Sequence, residues 1–378
     1  LQHFLLLQKY NIFLFIFDNL IFVSVFKNYY FKVINTFNMI KIILSIFIFM
    51  FILFFYLHIQ FHLKTNDDLE IIEIEKTSKE LFDEICDFRQ PSLFDLEEEH
   101  YNILKILNYE NLLDKYSLFE IKIRESFNKD NDILLPLQLH ISSKLFNKDK
   151  NSNYYTEKNY DFLKETGIVK IIKQYDYYLK PPLVSNCFYD LIMGSNGSFT
   201  PFRYDLNYRN FYTVLKGSVK IKLAPPKSSK YLYVENDYEN FEFRSQINPW
   251  NIENKYKNDF SKVKLLEITL LPGKFFFIPA FWFYSFKFEN NAVVSSFHYR
   301  TYMNNISIIP QIAMHALQTT NIERKITKKI KIDNINIDEN EIIKNELDNN
   351  INELDNNINI NETESNISEL EVKEINNL

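Results

Sequence analysis

Arg203-Tyr204-Asp205 and Tyr284 are the residues of this chain whose types and spacing bear most directly on chemistry. In an extended strand, side chains two apart project to the same side, so Arg203 and Asp205 are expected to share a face. A guanidinium is always charged and donates in a planar fork that suits an oxyanion, yet it has no lone pair for a metal. Asp205 can accept hydrogen bonds or meet a cation. Tyr284 offers a phenol, a poor metal ligand unless strongly activated. A pocket that holds Arg203 would have the chemistry of an anion receptor. Lys216, Lys220 and Lys222 either add charge to it or form a solvated strand face.

His298 is the one histidine within the strand-like region, in Phe297-His298-Tyr299. A lone strand histidine is usually structural, so it reads as a packed or surface residue rather than a ligand. His100, His140 and His315 lie outside the expected β core, and His3, His58 and His62 precede it. Cys86 and Cys187 are the two cysteines; no Cys-x-x-Cys spacing supports zinc, and they read as reduced thiols.

The elements that must position these residues are strands. Val219-Lys220-Ile221-Lys222-Leu223 alternates apolar and polar positions, the pattern of a half-buried strand. Tyr208 to Lys216, Leu265 to Leu271, Lys274 to Ile278, Phe283 to Phe288 and Ala292 to Tyr302 read likewise. Short strands separated by Pro-Gly and Asn-Asn turns predict an all-β sandwich or barrel. Lys79 to Phe88 and Tyr101 to Ile121 have helical apolar spacing and are expected to precede the β core of about 186–303.

Ile42 to Leu63 carries no Asp, Glu, Lys or Arg. At the helical rise it reaches roughly 33 Å, enough to cross a bilayer. Residues 39–64 therefore read as a single-pass signal anchor. Residues 1–38 read as an extension ahead of the first methionine, Met39. Lysines before the anchor and the acidic run after Lys64 place the N-terminus on the cytoplasmic side. Residues 65–322 form the globular body. Residues 323–378 are low-complexity, with a repeated heptad at 345–358, and read as disordered.

With 36 Phe, 24 Tyr and only 5 Gly, the composition matches AT-rich coding of the kind found in some protists and large DNA viruses. That bias discounts the four Asn-x-Ser/Thr sequons at Asn196, Asn305, Asn361 and Asn366. A net charge of −6 argues against nucleic acid as a partner.

From about residue 80 to 303 the chain resembles the JmjC/cupin-like (Cupin_8-type) hydroxylases, Fe(II)- and 2-oxoglutarate-dependent oxygenases. The ordered matches are Arg89-Gln90-Pro91-Ser92-Leu93-Phe94, Gly194 to Asp205, Asn210-Phe211-Tyr212, Lys216-Gly217, Leu223-Ala224-Pro225-Pro226, Leu271-Pro272-Gly273 and Ile278-Pro279-Ala280-Phe281-Trp282-Phe283-Tyr284. The resemblance implies a double-stranded β-helix, the jelly-roll or cupin barrel, with N-terminal helices. Such enzymes hold iron with two His and one carboxylate. Here Arg203 stands at the first His position and Tyr284 at the distal one, so only Asp205 of the ligand set is kept. Val219 stands where the family has its cosubstrate Lys. Thr200, Asn210, Tyr212 and Trp282 are the further pocket residues that the resemblance suggests.

The resemblance therefore implies a degenerate member that binds neither iron nor 2-oxoglutarate. Arg203 is expected to pair with Asp205, with Tyr284 joining the network. The expected role is a membrane-anchored binding or structural module for a protein, peptide, glycan or small anion. Two alternatives stay open: a divergent hydroxylase that recruits iron with Asp205 and His298, and a structural membrane or virion component.

Overall fold

Alternation of apolar and polar residues after Val184 builds a large, mostly antiparallel sheet. The structure, a computed structural model, describes residues 38–75, 78–95, 107, 109–126, 134–148 and 153–320, with Ser24, Tyr29, Lys32 and Thr36 before them. The tail from 321 onward, with its repeat and the sequons Asn361 and Asn366, lies outside the described residues, as does most of 1–37.

The sheet holds β1 (Ile72–Ile74), β2 (Ser92–Asp95), β3 (Glu120–Glu125), β4 (Leu135–Gln138), β5 (Tyr154–Thr156), β6 (Val184–Gly194), β7 (Arg203–Tyr204), β8 (Arg209–Ala224), β9 (Val234–Asp237), β10 (Glu242–Ser245), β11 (Leu266–Leu270), β12 (Lys274–Pro279) and β13 (Phe283–Thr301). Its main path runs β1-β2-β12-β8-β13-β6-β5-β3-β4. All described pairings are antiparallel except β1 with β2. Segments expected as two strands each are continuous. β8 runs through Gly217 and β13 runs through Asn290-Asn291 with register shifts there. Gly217 is required by its backbone: φ is +74°, and a Cβ would lie 2.7 Å from the Glu289 carbonyl oxygen.

Side chains alternate between two cores. Phe275 and Phe277 of β12 join Phe211, Phe297 and Tyr299 on the face covered by helices. Phe276 and Ile278 join Tyr212, Trp282, Tyr284, Phe286 and Phe288 on the other. Each fully buried Phe contributes about 2–3 kcal/mol, so these two layers fix the register.

Six further helices matter here besides the N-terminal α1 (Asn38–Leu63). They are α2 (Lys79–Asp87), α3 (Tyr109–Tyr116), α4 (Leu139–Lys148), α5 (Tyr160–Glu165), α6 (Tyr302–Ser307) and α7 (Ile309–Thr320). Ser78 caps α2, accepting from Leu81 N–H, and Thr301 caps α6, accepting from Asn304 N–H. Of the helix expected over Tyr101–Ile121, residues 101–106 and 108 lie outside the described residues, and the described part ends at Tyr116. The chain turns at 117–119, and Ile121 and Ile123 enter the core from β3 instead. α1 has 26 residues, a mean hydropathy of 2.7 and none of its apolar window buried, so it is long and apolar enough to cross a membrane.

Candidate functional site

Burial of charge organises this region. Glu157, just past β5, is almost fully buried between Arg124 of β3 and Arg203 of β7. Arg203 Nη2 donates to Glu157 Oε2 at 2.6 Å, and Arg124 Nη1 donates to Oε1. Arg124 also donates from Nη2 to Glu242 Oε2 at 3.0 Å, and Lys158 pairs with Glu242. Burial alone would raise the Glu157 carboxyl, but Arg203 and Arg124 outweigh it and hold it below the usual carboxylate range. Arg203 therefore stays charged and is spent on Glu157. The expected Arg203–Asp205 pair is not formed, because the guanidinium is paired with the buried Glu157 carboxylate just past β5.

Asp205 is bonded to phenols instead. Tyr284 O–H donates to Asp205 Oδ2 at 2.7 Å, and Tyr212 O–H lies 2.8 Å from the Tyr284 oxygen and 3.2 Å from the same Oδ2. The chain Tyr212→Tyr284→Asp205 uses each proton once. Burial, followed by neighbouring Asp205, pushes the Tyr284 phenol up, and burial does the same for Tyr212. Both phenols stay protonated. Tyr284 also stands opposite Arg203 where β13 pairs with β7.

Behind Tyr212 stands His298. Its Nδ1–H donates to Asn210 Oδ1 at 2.8 Å, which leaves Nε2 to accept from Ser296 Oγ at 3.2 Å. Asn210 is itself held by its amide, donating to the Ile278 carbonyl at 3.1 Å. Burial lowers the His298 pKa, so the ring is neutral.

Arg203, Asp205, Tyr212, Tyr284 and His298 all border one cleft of about 340 Å³. Asp190 and Arg300 line it as well. Lys158 has φ +61°, a conformation that costs a non-glycine residue about 1–2 kcal/mol. It turns two successive amides onto Asp190, with Lys158 N–H at 2.5 Å from Oδ2 and Asn159 N–H at 2.8 Å from Oδ1. Even so, burial dominates and pushes Asp190 up to about 6.

Arg300 differs from the other arginines here. Its Nε donates to Asn207 Oδ1 at 2.6 Å, and the guanidinium carbon lies 5.1 Å from the Phe188 ring and 5.0 Å from the Phe241 ring. It forms no ion pair among the described residues, and burial lowers its pKa. The cation is thus oriented by one bond and two aromatic faces, with its terminal nitrogens left for the cleft.

Other expected pocket residues lie elsewhere. Thr200 is buried and serves the backbone: its Oγ1 accepts from Phe286 N–H at 2.9 Å. Trp282 is fully buried in the core and lies off the cleft, its indole N–H without a partner among the described residues. Val219 is core as well. Lys216, Lys220 and Lys222 pair with Glu110, Glu289 and Glu267 on a solvated face. Asn210 acts from behind, through His298. Glu157, Arg124, Glu242 and Asp190 carry no local sequence signal, since their meaning is tertiary. Arg300 was accessible to strand alternation, two residues past His298.

A family model for the cupin-like domain matches residues 100–305. Among curated proteins, HSPB1-associated protein 1 of rat, mouse and human is 32% identical over 95 residues. That stretch is 25% of this chain and 20% of the relatives, so the chain spans about a fifth of their length.

Proposed function

The chain belongs to the cupin-like domain family, and on that premise we propose a membrane-anchored, non-catalytic member whose cleft binds a small anionic group through Arg300. The observation that carries this reading is the contrast between two arginines. Arg203 is consumed by Glu157, whereas Arg300 enters the cleft without an ion pair among the described residues, with Asp205 acting on it only at longer range. A desolvated guanidinium between two rings favours a carboxylate or similar oxyanion over water. In the same reading the sheet closes as a double-stranded β-helix with the cleft at its mouth, and α1 crosses the membrane with its N-terminal flank cytoplasmic. The long antiparallel strands β6, β8 and β13 support the barrel, and the lysine distribution supports the orientation.

The residues present do not fit the iron and 2-oxoglutarate of the active relatives. At the ligand positions stand a guanidinium without a lone pair and a phenol that burial keeps protonated. The place of the cosubstrate lysine holds core Val219. One observation favours the second reading, a divergent hydroxylase: His298 and Asp205 border the same cleft.

The test is calorimetry on the full chain in detergent, with methanesulfonate, acetate and inorganic phosphate as probes. Binding that weakens about tenfold or more in Arg300→Gln, and is unchanged in Lys216→Gln, supports the proposal. No heat from any probe, or equal affinity in Arg300→Gln, overturns it. Stoichiometric Fe(II) uptake under anaerobic conditions, with 2-oxoglutarate turnover, would establish the second reading instead.

A further inference from the structure

We infer that the globular body is not tethered at a distance but sits on the bilayer, through an apolar collar of Phe88, Leu183 and Tyr302 around the end of α1. The inference rests on the reading that α1 crosses a membrane, and goes beyond it by assigning a lipid-contacting surface to the β domain.

The first support is that the end of α1 is bolted to the body with no free linker. His62 is buried. Its Nδ1–H donates to the His58 carbonyl at 2.9 Å, which leaves Nε2 to accept from the Thr301 hydroxyl at 3.1 Å. The same Thr301 oxygen accepts from Asn304 N–H, so one hydroxyl joins the anchor, β13 and α6. The His62 ring lies 5.0 Å from Tyr208, and the buried Arg89 guanidinium lies 5.4 Å from Phe61 and 4.3 Å from Tyr208. Arg89 Nε and Nη2 have no hydrogen-bond partner among the described residues, so aromatic faces take much of that role.

The second support is length. The 26 residues of α1 span about 39 Å at 1.5 Å per residue, against a hydrocarbon core of about 30 Å. The excess is shared between the two ends, which places Phe61–Leu63 at the boundary between hydrocarbon and headgroups. Whatever touches Phe61 and His62 stands at that same level.

The third support is what surrounds this junction. Phe88 is 51% exposed, and its carbonyl accepts from Asn66 Nδ2 just past the anchor. Leu183 is 76% exposed, and its carbonyl accepts from Tyr302 N–H. Tyr302 is 61% exposed and follows Thr301 directly. Large apolar side chains left in water at one place need a cover. A bilayer interface takes Phe and Leu, and Tyr is the residue that interfaces favour. Continuity with α1 selects lipid over a protein partner.

The test uses the full chain in phosphatidylcholine vesicles that carry doxyl-labelled lipids. A fluorescent thiol probe is placed at Leu183→Cys, Tyr302→Cys, Lys216→Cys or Phe51→Cys, each with Cys187→Ser. Cys86 needs no replacement, because burial seals it and pushes its pKa up to about 12. Lys216 lies eight positions along the chain from Tyr208, about 26 Å at strand rise. The expected result is quenching at 183 and 302 by shallow doxyl lipids, at least twofold above that at 216, with 51 quenched by deep ones. Quenching at 51 but only background quenching at 183 and 302 overturns the inference. So does crosslinking between copies at 183 or 302, which would make the cover a second chain. Failure to quench position 51 overturns the membrane span itself and is thereby told apart.

Discussion

Arg203 donates to Glu157, a carboxylate 46 residues upstream, and leaves Asp205 on its own segment to Tyr284. Two networks thus meet at one cleft without exchanging partners. One is ionic and buried, Arg124–Glu157–Arg203. The other is phenolic, Tyr212–Tyr284–Asp205. The first brings buried charge to the lining of the cleft, and the second brings protonated hydroxyls.

Breaking the ionic network from one side should be costly. Arg203→Met leaves Glu157 buried with Arg124 as its remaining close arginine, and loss of one partner from a buried pair costs about 3–5 kcal/mol. Arg203→Met with Glu157→Leu should lose less than the single variant, because no orphan charge remains. Urea unfolding of the three proteins measures this. The pH dependence has a definite sign. Glu157 is held below its unfolded value, so its contribution is present above about pH 4.3 and is lost as pH falls towards its folded value.

Anion binding should weaken as pH rises from 5 to 7. Asp190 borders the cleft and titrates near about 6, so it is neutral below that pH and adds negative charge above it. His298, lowered by burial, would add positive charge on acidification and works in the same direction. Glu157 and Glu242 stay ionised across this window, and Arg203 and Arg300 stay cationic. Methanesulfonate affinity at each pH reads the effect without titration of the probe. Asp190→Asn should remove most of the slope, and any remainder belongs to His298.

Much of the fold was legible because its signals are local. Alternation at Val219–Leu223, the Pro-Gly turn before Lys274 and the uncharged run through Ile42–Leu63 each state their own structure. The continuity of β8 and β13 was not legible, since Gly217 and Asn290-Asn291 look like strand breaks. They prove to be positive-φ positions within longer strands. At the site, Asp205 and Tyr284 were placed together by the motif that carries them. The partner of Arg203 was not, because Glu157 reaches it across the sheet and no spacing encodes that. Motif position alone points to Thr200 and Trp282 as pocket residues, whereas packing gives them to the backbone and the core.

Gly194 should prove indispensable for steric reasons. A Cβ there would lie 2.2 Å from the Phe288 ring and 2.8 Å from its Cβ. Phe288 is packed beneath Tyr155, whose ring centroid is 6.2 Å away, and has nowhere to go. Gly194→Ala is expected to destabilise by about 1–3 kcal/mol, as overpacked cores do. Phe288→Leu should recover part of that loss in the double variant, although it destabilises the parent chain. Thermal unfolding of the four-member cycle gives the coupling.

Rebuilding a metal site should need three changes. Positions 203 and 284 face each other where β7 pairs with β13, so histidines there would converge beside Asp205. Arg203→His with Tyr284→His supplies the donors, but it strips Glu157 of one cation and Tyr212 of its phenol partner. The double variant is therefore expected to unfold more easily and to bind Fe(II) weakly. Glu157→Gln removes the orphaned charge while its amide oxygen still accepts from Arg124. The triple variant should regain stability and bind one equivalent of Fe(II), or of Co(II) followed by its visible absorption, and the parent chain is expected to bind neither. Equal metal affinity in parent and triple variant would mean that Arg203 and Tyr284 do not exclude the ion.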